Sequence, residues 1–187
     1  LGTSFKKDLA RNKDFYIKNH RKIQGLFGEA VRLFNIEYSD NEILGALDKY
    51  CGIDFLTLKD KEMHGLASRV NYNQNHHNSL TIRYKRATGT TTEYEKRVAA
   101  IKANTGRLYA SLQMQMDSDR DLNLLRGCIV NSDNLYIVID KNIEYFERNY
   151  MHENYDDGNL FFKFTYQDLQ NLAKACNFDF VCKEYAR

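Results

Sequence analysis

The chain contains neither proline nor tryptophan, and neither absence points to a function. Other absences exclude more. No apolar stretch approaches the roughly 20 residues that a membrane-spanning helix needs. The basic start, LGTSFKKDLARNKDFYIKNHRK, lacks the apolar segment and cleavage site of a signal peptide. The four cysteines, Cys51, Cys128, Cys176 and Cys182, form no CxxC pair, and His76 and His77 stand in a polar loop without thiols beside them. No zinc-type ligand spacing is therefore present, and reduced thiols in a cytoplasmic protein are expected. There is no GxSxG elbow, no dinucleotide fingerprint and no P-loop ending. DSDRDLN resembles a calcium loop but lacks its glycine and its terminal glutamate.

What remains is the composition of a globular chain. Its 187 residues are 43% hydrophobic and 13% aromatic, about one domain in length. Net charge is only +2, but it is unevenly spread. Residues 1–32 carry eight basic against three acidic side chains, and residues 83–107 carry seven against two. Residues 133–187 reverse the sign, with six basic and ten acidic. Two basic segments suit a polyanion partner, although solvated helix faces also produce such clusters.

Periodicity predicts a helix over 4–24, a second over 25–34 (GLFGEAVRLF) and a short third starting at Asp40, with Ile43, Leu44 and Leu47 inward. Strands are predicted over 53–58, 65–72 and 79–86, joined by polar turns as an antiparallel meander. TGTTTEYEKRVAAIKAN begins a helix at which Thr90 with Glu93, and Thr92 with Glu95, both have capping-box spacing. A strand at GRLYASLQMQM follows, then LLRGCIV and NLYIVID as a hairpin around NSDN. A charged helix, a strand at NLFFKFTY and a helix at YQDLQNLAKACN complete the order. This is an α/β or α+β chain with a mixed sheet. Strand alternation puts Ala67, Arg69 and Asn71 on one face, and Thr81, Arg83 and Lys85 on another.

The order of helix with Glu29, strand with Asp54 in GIDFLTL, strand with Arg69 in GLASRV, third strand, helix and strand resembles the PD-(D/E)XK nuclease superfamily over roughly residues 22–116. The resemblance implies a restriction-endonuclease-like αβββαβ core over 25–116, within a single domain that adds a basic N-terminal arm (1–24) and a C-terminal α/β extension (117–187). It implies hydrolysis of DNA phosphodiesters with Mg²⁺ or Mn²⁺, Asp54 and Glu29 as metal ligands with Glu93 as a further acid, and Arg69 and Lys85 facing the scissile phosphate. The chain departs from the pattern at Ala67, where an acid is expected, and at Arg69, where lysine is usual. Arginine stabilises phosphate charge but is a poor base.

The residues themselves leave alternatives open. Asp54 is a metal ligand, a partner of Arg69 or a turn-edge acid; Glu93 is a ligand or a cap; Glu29 is a ligand or a surface partner of Arg32. Arg83, Arg86, Lys96 and Arg97 surround a Gly/Thr loop that suits phosphate. Tyr72, Tyr84 and Tyr94 stack bases or pack the core. A non-catalytic module binding nucleic acid or protein on the same scaffold is the alternative to a nuclease. A phage or mobile-element protein fits either, and a homodimer through the acidic third is left open.

Overall fold

A computed structural model of the chain describes residues 3–36, 41–72, 78–104 and 109–185. The chain forms two compact units: Leu1–His76 with Ala110–Ile129 and Val181–Arg187, and His77–Tyr109 with Val130–Phe180. The expected boundary between core and extension, at 116/117, falls inside a strand of the first unit.

In the first unit α1 (Thr3–Phe27) buries Phe15, Tyr16, Ile23 and Leu26, while Lys13, Lys18 and Arg21 stay exposed. Asn19 is buried within this face with its amide satisfied. Its Nδ2 donates to the Phe15 carbonyl at 2.8 Å and the Leu122 carbonyl at 2.7 Å, and its Oδ1 accepts from Leu124 N at 2.9 Å. The helix continues past the expected boundary near 24 and stops before Gly28, whose φ of 84° is left-handed. The helix expected over 25–34 is therefore not formed. Its second half is β1 (Arg32–Asn35), because Leu33 and the rest of that run pair antiparallel with β2 (Phe55–Lys59).

Between them lies α2 (Glu42–Cys51). Asn41 caps it by accepting from Ile43 N and Leu44 N, and Gly52 (φ 62°) ends it. The proposed cap, Asp40, lies outside the described residues. Ile43, expected inside, is 73% exposed. β2 pairs antiparallel with β3 (Glu62–Asn71) across a tight turn at Asp60 and Lys61. β3 pairs parallel with β5 (Ala110–Ser118), and β6 (Leu124–Asn131) and β9 (Phe180–Glu184) complete the order β1-β2-β3-β5-β6-β9. Leu66, Met114, Met116 and Leu124 fill its core with the α1 residues.

The second unit corrects two further expectations. β4 (Ser79–Lys85) is not the third strand of the meander. It pairs antiparallel with β8 (Leu160–Thr165), which also holds β7 (Met151–Glu153) in a three-stranded sheet. The cause is its apolar face: Leu80 and Ile82 stand in register with Phe164 and Phe162, partners remote in sequence. NLYIVID is not a strand. It lies in α4 (Ser132–Lys141), where Asn131 caps by accepting from Asn134 N and Leu135, Tyr136 and Ile139 are buried at helical spacing. A short apolar run is ambiguous between the two states, and the cap decides it. α3 (Glu93–Ala103), α5 (Ile143–Tyr150) and α6 (Tyr166–Cys176) match expected helices. Among the described residues no helix is long and apolar enough to cross a membrane.

Gly65 makes the β3–β5 pairing close. A Cβ there would meet Ile53 Cδ1 at 2.7 Å and the Ala110 Cα at 3.1 Å. Gly65→Ala should lose about 1–3 kcal/mol in urea unfolding. Gly45→Ala, in open space on α2, should be neutral or gain up to ~1 kcal/mol. Equal midpoints for Gly65→Ala and the native chain would refute the close approach.

Candidate active site

Asp54 lies at the entry to β2, and its main chain is part of the sheet. Its N–H donates to the Leu66 carbonyl at 2.9 Å, and its carbonyl accepts from Ile36 N at 3.0 Å. The β2–β3 register runs from Lys59↔Glu62 to Phe55↔Leu66. Beyond it the Asp54 side chain takes over: Oδ2 accepts from Ser68 N and, at 3.1 Å, from Ser68 Oγ. Ser68 Oγ is in turn 2.6 Å from the Tyr16 hydroxyl of α1. The acid thus continues the ladder with its carboxylate.

Burial pushes the Asp54 carboxyl up to about 6. The two Ser68 hydrogen bonds oppose that shift, Asp48 adds to it, and Arg69 lowers it. Asp48, in the last turn of α2, is itself raised by burial. Gly52 N donates to the Asp48 carbonyl at 3.0 Å in the left-handed turn that ends the helix, and the chain then runs back to Asp54. Asp48 is the acid that the sequence reading overlooked. Its only signal was position, in the last turn of the helix preceding the motif.

The other expected site residues have different surroundings within their own units. Glu29 is in the exposed turn between α1 and β1 rather than on a helix, and it is not among the groups that shift Asp54. Ala67 packs against the apolar cluster of Ile36, Ile53 and Ala110, so that position serves packing. Arg69 is exposed on β3.

Glu93, Lys85, Arg83, Arg86, Lys96 and Arg97 belong to the second unit, whereas Asp54, Glu29 and Arg69 belong to the first. Glu93 pairs with Lys96 at 3.0 Å. Of the two capping boxes, the one formed is Thr92 with Glu95. Lys85 pairs with Glu147 at 3.6 Å. Arg83 is half-buried with its guanidinium over the Phe161 ring, and Arg86 is half-buried too. Arg97 is 5% exposed, donates to Ser132 Oγ and lies against Tyr109 and Tyr136. It is a core cation and not a surface contact for phosphate. Tyr84 and Tyr94 are core residues in edge contact, and Tyr72 donates to Asn12 Oδ1 under the Arg11 guanidinium.

Among the described residues no group of three or more His, Cys, Asp or Glu side chains is placed to hold a metal. No known protein family matches the chain, and no curated protein or solved structure matches it.

The elevated Asp54 carboxyl has a consequence for stability. An unfolded aspartate titrates near ~3.9, so the folded chain holds this proton more tightly. Stability from this group is therefore greatest below about 4, falls as pH climbs to about 6, and is level above that. The span is on the order of 2–3 kcal/mol. Asp54→Asn keeps an acceptor for Ser68 N and removes the titration. Urea unfolding across pH 4–7 should show it at least as stable as the native chain at pH 7, with a shallower slope. An unchanged slope would assign the pH dependence elsewhere.

Proposed function

We propose that the first unit is a divergent PD-(D/E)XK-type nuclease core that hydrolyses DNA phosphodiesters with Mg²⁺ or Mn²⁺ in the cytoplasm. The observation that carries this reading is Asp54. The fold retains an ionisable carboxylate that costs stability at neutral pH, and the charge of a second acid, Asp48, acts on it in the same sense as burial. Titratable groups shifted by burial and a like charge concentrate at functional sites. The strand order supports the same reading, since neighbours β1, β2 and β3 are antiparallel and β5 adds parallel to β3 once the chain has passed through β4 and α3 of the second unit.

The donors fit a hard cation. Mg²⁺ takes oxygen ligands, commonly one or two carboxylates completed by water and substrate phosphate, and Asp54 and Asp48 would hold it. The bound ion would supply Lewis-acid stabilisation of phosphate charge and a more acidic water. Ser68 and Tyr16 fix the Asp54 carboxylate. Arg69 would neutralise a phosphate oxygen without acting as a base. Since Asp54 must be ionised to ligate, cleavage should rise with pH through about 6.

The test is cleavage of supercoiled plasmid and single-stranded DNA in Mg²⁺ or Mn²⁺. Asp54→Asn and Asp48→Asn should each lose roughly two orders of magnitude or more. No cleavage by the native protein, or equal cleavage by Asp54→Asn, would refute the nuclease.

Ala67 favours a second reading, a non-catalytic module that binds nucleic acid through its basic segments. In that case DNA binding persists without cleavage and falls steeply with salt. A salt-independent response would remove nucleic acid from both readings.

A further inference from the structure

β6 and β9 are neighbours in the six-stranded sheet, and two main-chain hydrogen bonds fix their register. Asn131 N donates to the Asp179 carbonyl at 3.1 Å, and Tyr185 N donates to the Leu125 carbonyl at 2.8 Å. In an antiparallel pair such bonds join residues directly opposite each other. The same number of residues separates the two bonds on each strand, so the ladder between them carries no net bulge. That register sets Cys128 opposite Cys182 and Arg126 opposite Glu184. The ion pair of Arg126 Nη1 with Glu184 Oε1 at 3.6 Å agrees with it.

Alternation puts both thiols on one face of the sheet. The other face is turned to α1, where Lys183 donates to the Gly25 carbonyl and a Cβ on Gly127 would meet Leu26. Cys128 and Cys182 therefore share the face of Arg126 and Glu184. The bonds at Leu125 and Asn131 make the odd-numbered residues of β6 the hydrogen-bonded ones. Cys128 with Cys182 is then a non-hydrogen-bonded pair, in which Cα atoms approach to about 4.5 Å. A disulfide spans Cα separations of about 4.4–6.8 Å. Both residues are thiols in this structure, Cys128 buried and Cys182 exposed.

We propose that Cys128 and Cys182 form a reversible cross-strand disulfide, with a low-molecular-weight disulfide such as glutathione disulfide as the oxidant. Cys182, the exposed member, attacks that disulfide as its thiolate, forming a mixed disulfide and releasing one thiol. The Cys128 thiolate then attacks the Cys182 sulfur and releases the second thiol. The two cysteine protons end on the two released thiols, and the two electrons the protein loses reduce the oxidant. Burial holds the Cys182 thiol above its usual range, Arg126 opposes that, and Glu184 and Asp117 add to it. Its thiolate is scarce at neutral pH, and the first step is slow. β9 is an edge strand whose Val181, Cys182, Lys183 and Glu184 are exposed, and segments of this kind open locally. The disulfide locks β9 to β6, and reduction returns its freedom to open. Transient bonds of this sort are the usual disulfides of a reducing compartment. The inference goes beyond the proposed hydrolysis and needs neither metal nor Asp54.

Equilibrating the full chain with glutathione disulfide in EDTA, blocking the remaining thiols and mapping peptides by mass tests it separately from cleavage. The Cys128 and Cys182 peptides should be joined, and dithiothreitol should part them. A chain carrying Cys51→Ser and Cys176→Ser should form the same bond as a monomer lighter by two hydrogens. Cys128→Ser and Cys128→Ala should instead retain glutathione on Cys182, and Cys182→Ser should form no internal bond. Amides of β9 should exchange with deuterium at least about tenfold more slowly in the oxidised native chain than in the reduced one. Glutathione retained on Cys182 of the native chain, a dimer in place of the internal bond, a bond made through Cys51 or Cys176, or equal β9 exchange in both states would overturn the proposal.

Discussion

A carboxylate that hydrogen-bonds the main chain of the next strand ties three elements of the first unit together. Asp54 reaches Ser68 at the open end of the β2–β3 ladder, and Ser68 reaches Tyr16 on α1. Burying an acid in this way is unfavourable unless its oxygens are satisfied. The Ser68 N–H and hydroxyl do so in part, and the remaining desolvation appears as a raised affinity for a proton. The same chain of contacts sets where Tyr16 presents its ring, and so helps shape a cavity beside it. Stability, acid–base behaviour and surface shape in this unit all meet at one side chain.

The second unit is built on different forces. Its centre is aromatic: Tyr84, Tyr94, Phe146, Phe162 and Phe164 form a connected set of edge and tilted contacts. Three of its helices, α3, α4 and α6, begin at side-chain caps on Thr92, Asn131 and Thr165. The basic residues that look like a phosphate surface in sequence are largely absorbed here. Lys85, Lys96 and Arg97 each have a partner in the unit, respectively Glu147, Glu93 and Ser132. Charge clusters in a sequence therefore overstate the free positive surface, because the acidic C-terminal third supplies some of the partners.

Local signals were readable where chemistry is local. Thr92 with Glu95 marked the start of α3, the alternation that put Thr81, Arg83 and Lys85 on one face left the opposite face to Leu80, Ile82 and Tyr84, which are buried, and YQDLQNLAKACN gave α6. The failures share one cause, a partner distant in sequence. β1 forms because β2 is available to it, β4 leaves the meander because Phe162 and Phe164 lie in β8, and α4 replaces a strand in a run whose apolar pattern fits both. At the site, Asp54 drew notice as an acid in an apolar run, but its partners were invisible. Ser68 appeared only as a small residue between Ala67 and Arg69. Asp48 acts on it by charge from the helix that the left-handed turn at Gly52 ends.

The interleaving of the two units bears on how the chain is made. The six-stranded sheet takes β3 before the first excursion into the second unit, β5 and β6 after it, and β9 only after a second excursion. During synthesis from the N-terminus, β6 therefore emerges with its outer hydrogen-bonding edge unpaired, and it waits for the residues from Val130 to Phe180 before β9 can close it. An uncovered strand edge is a template for another chain. Assembly on the ribosome thus carries an interval of exposure that the finished fold conceals.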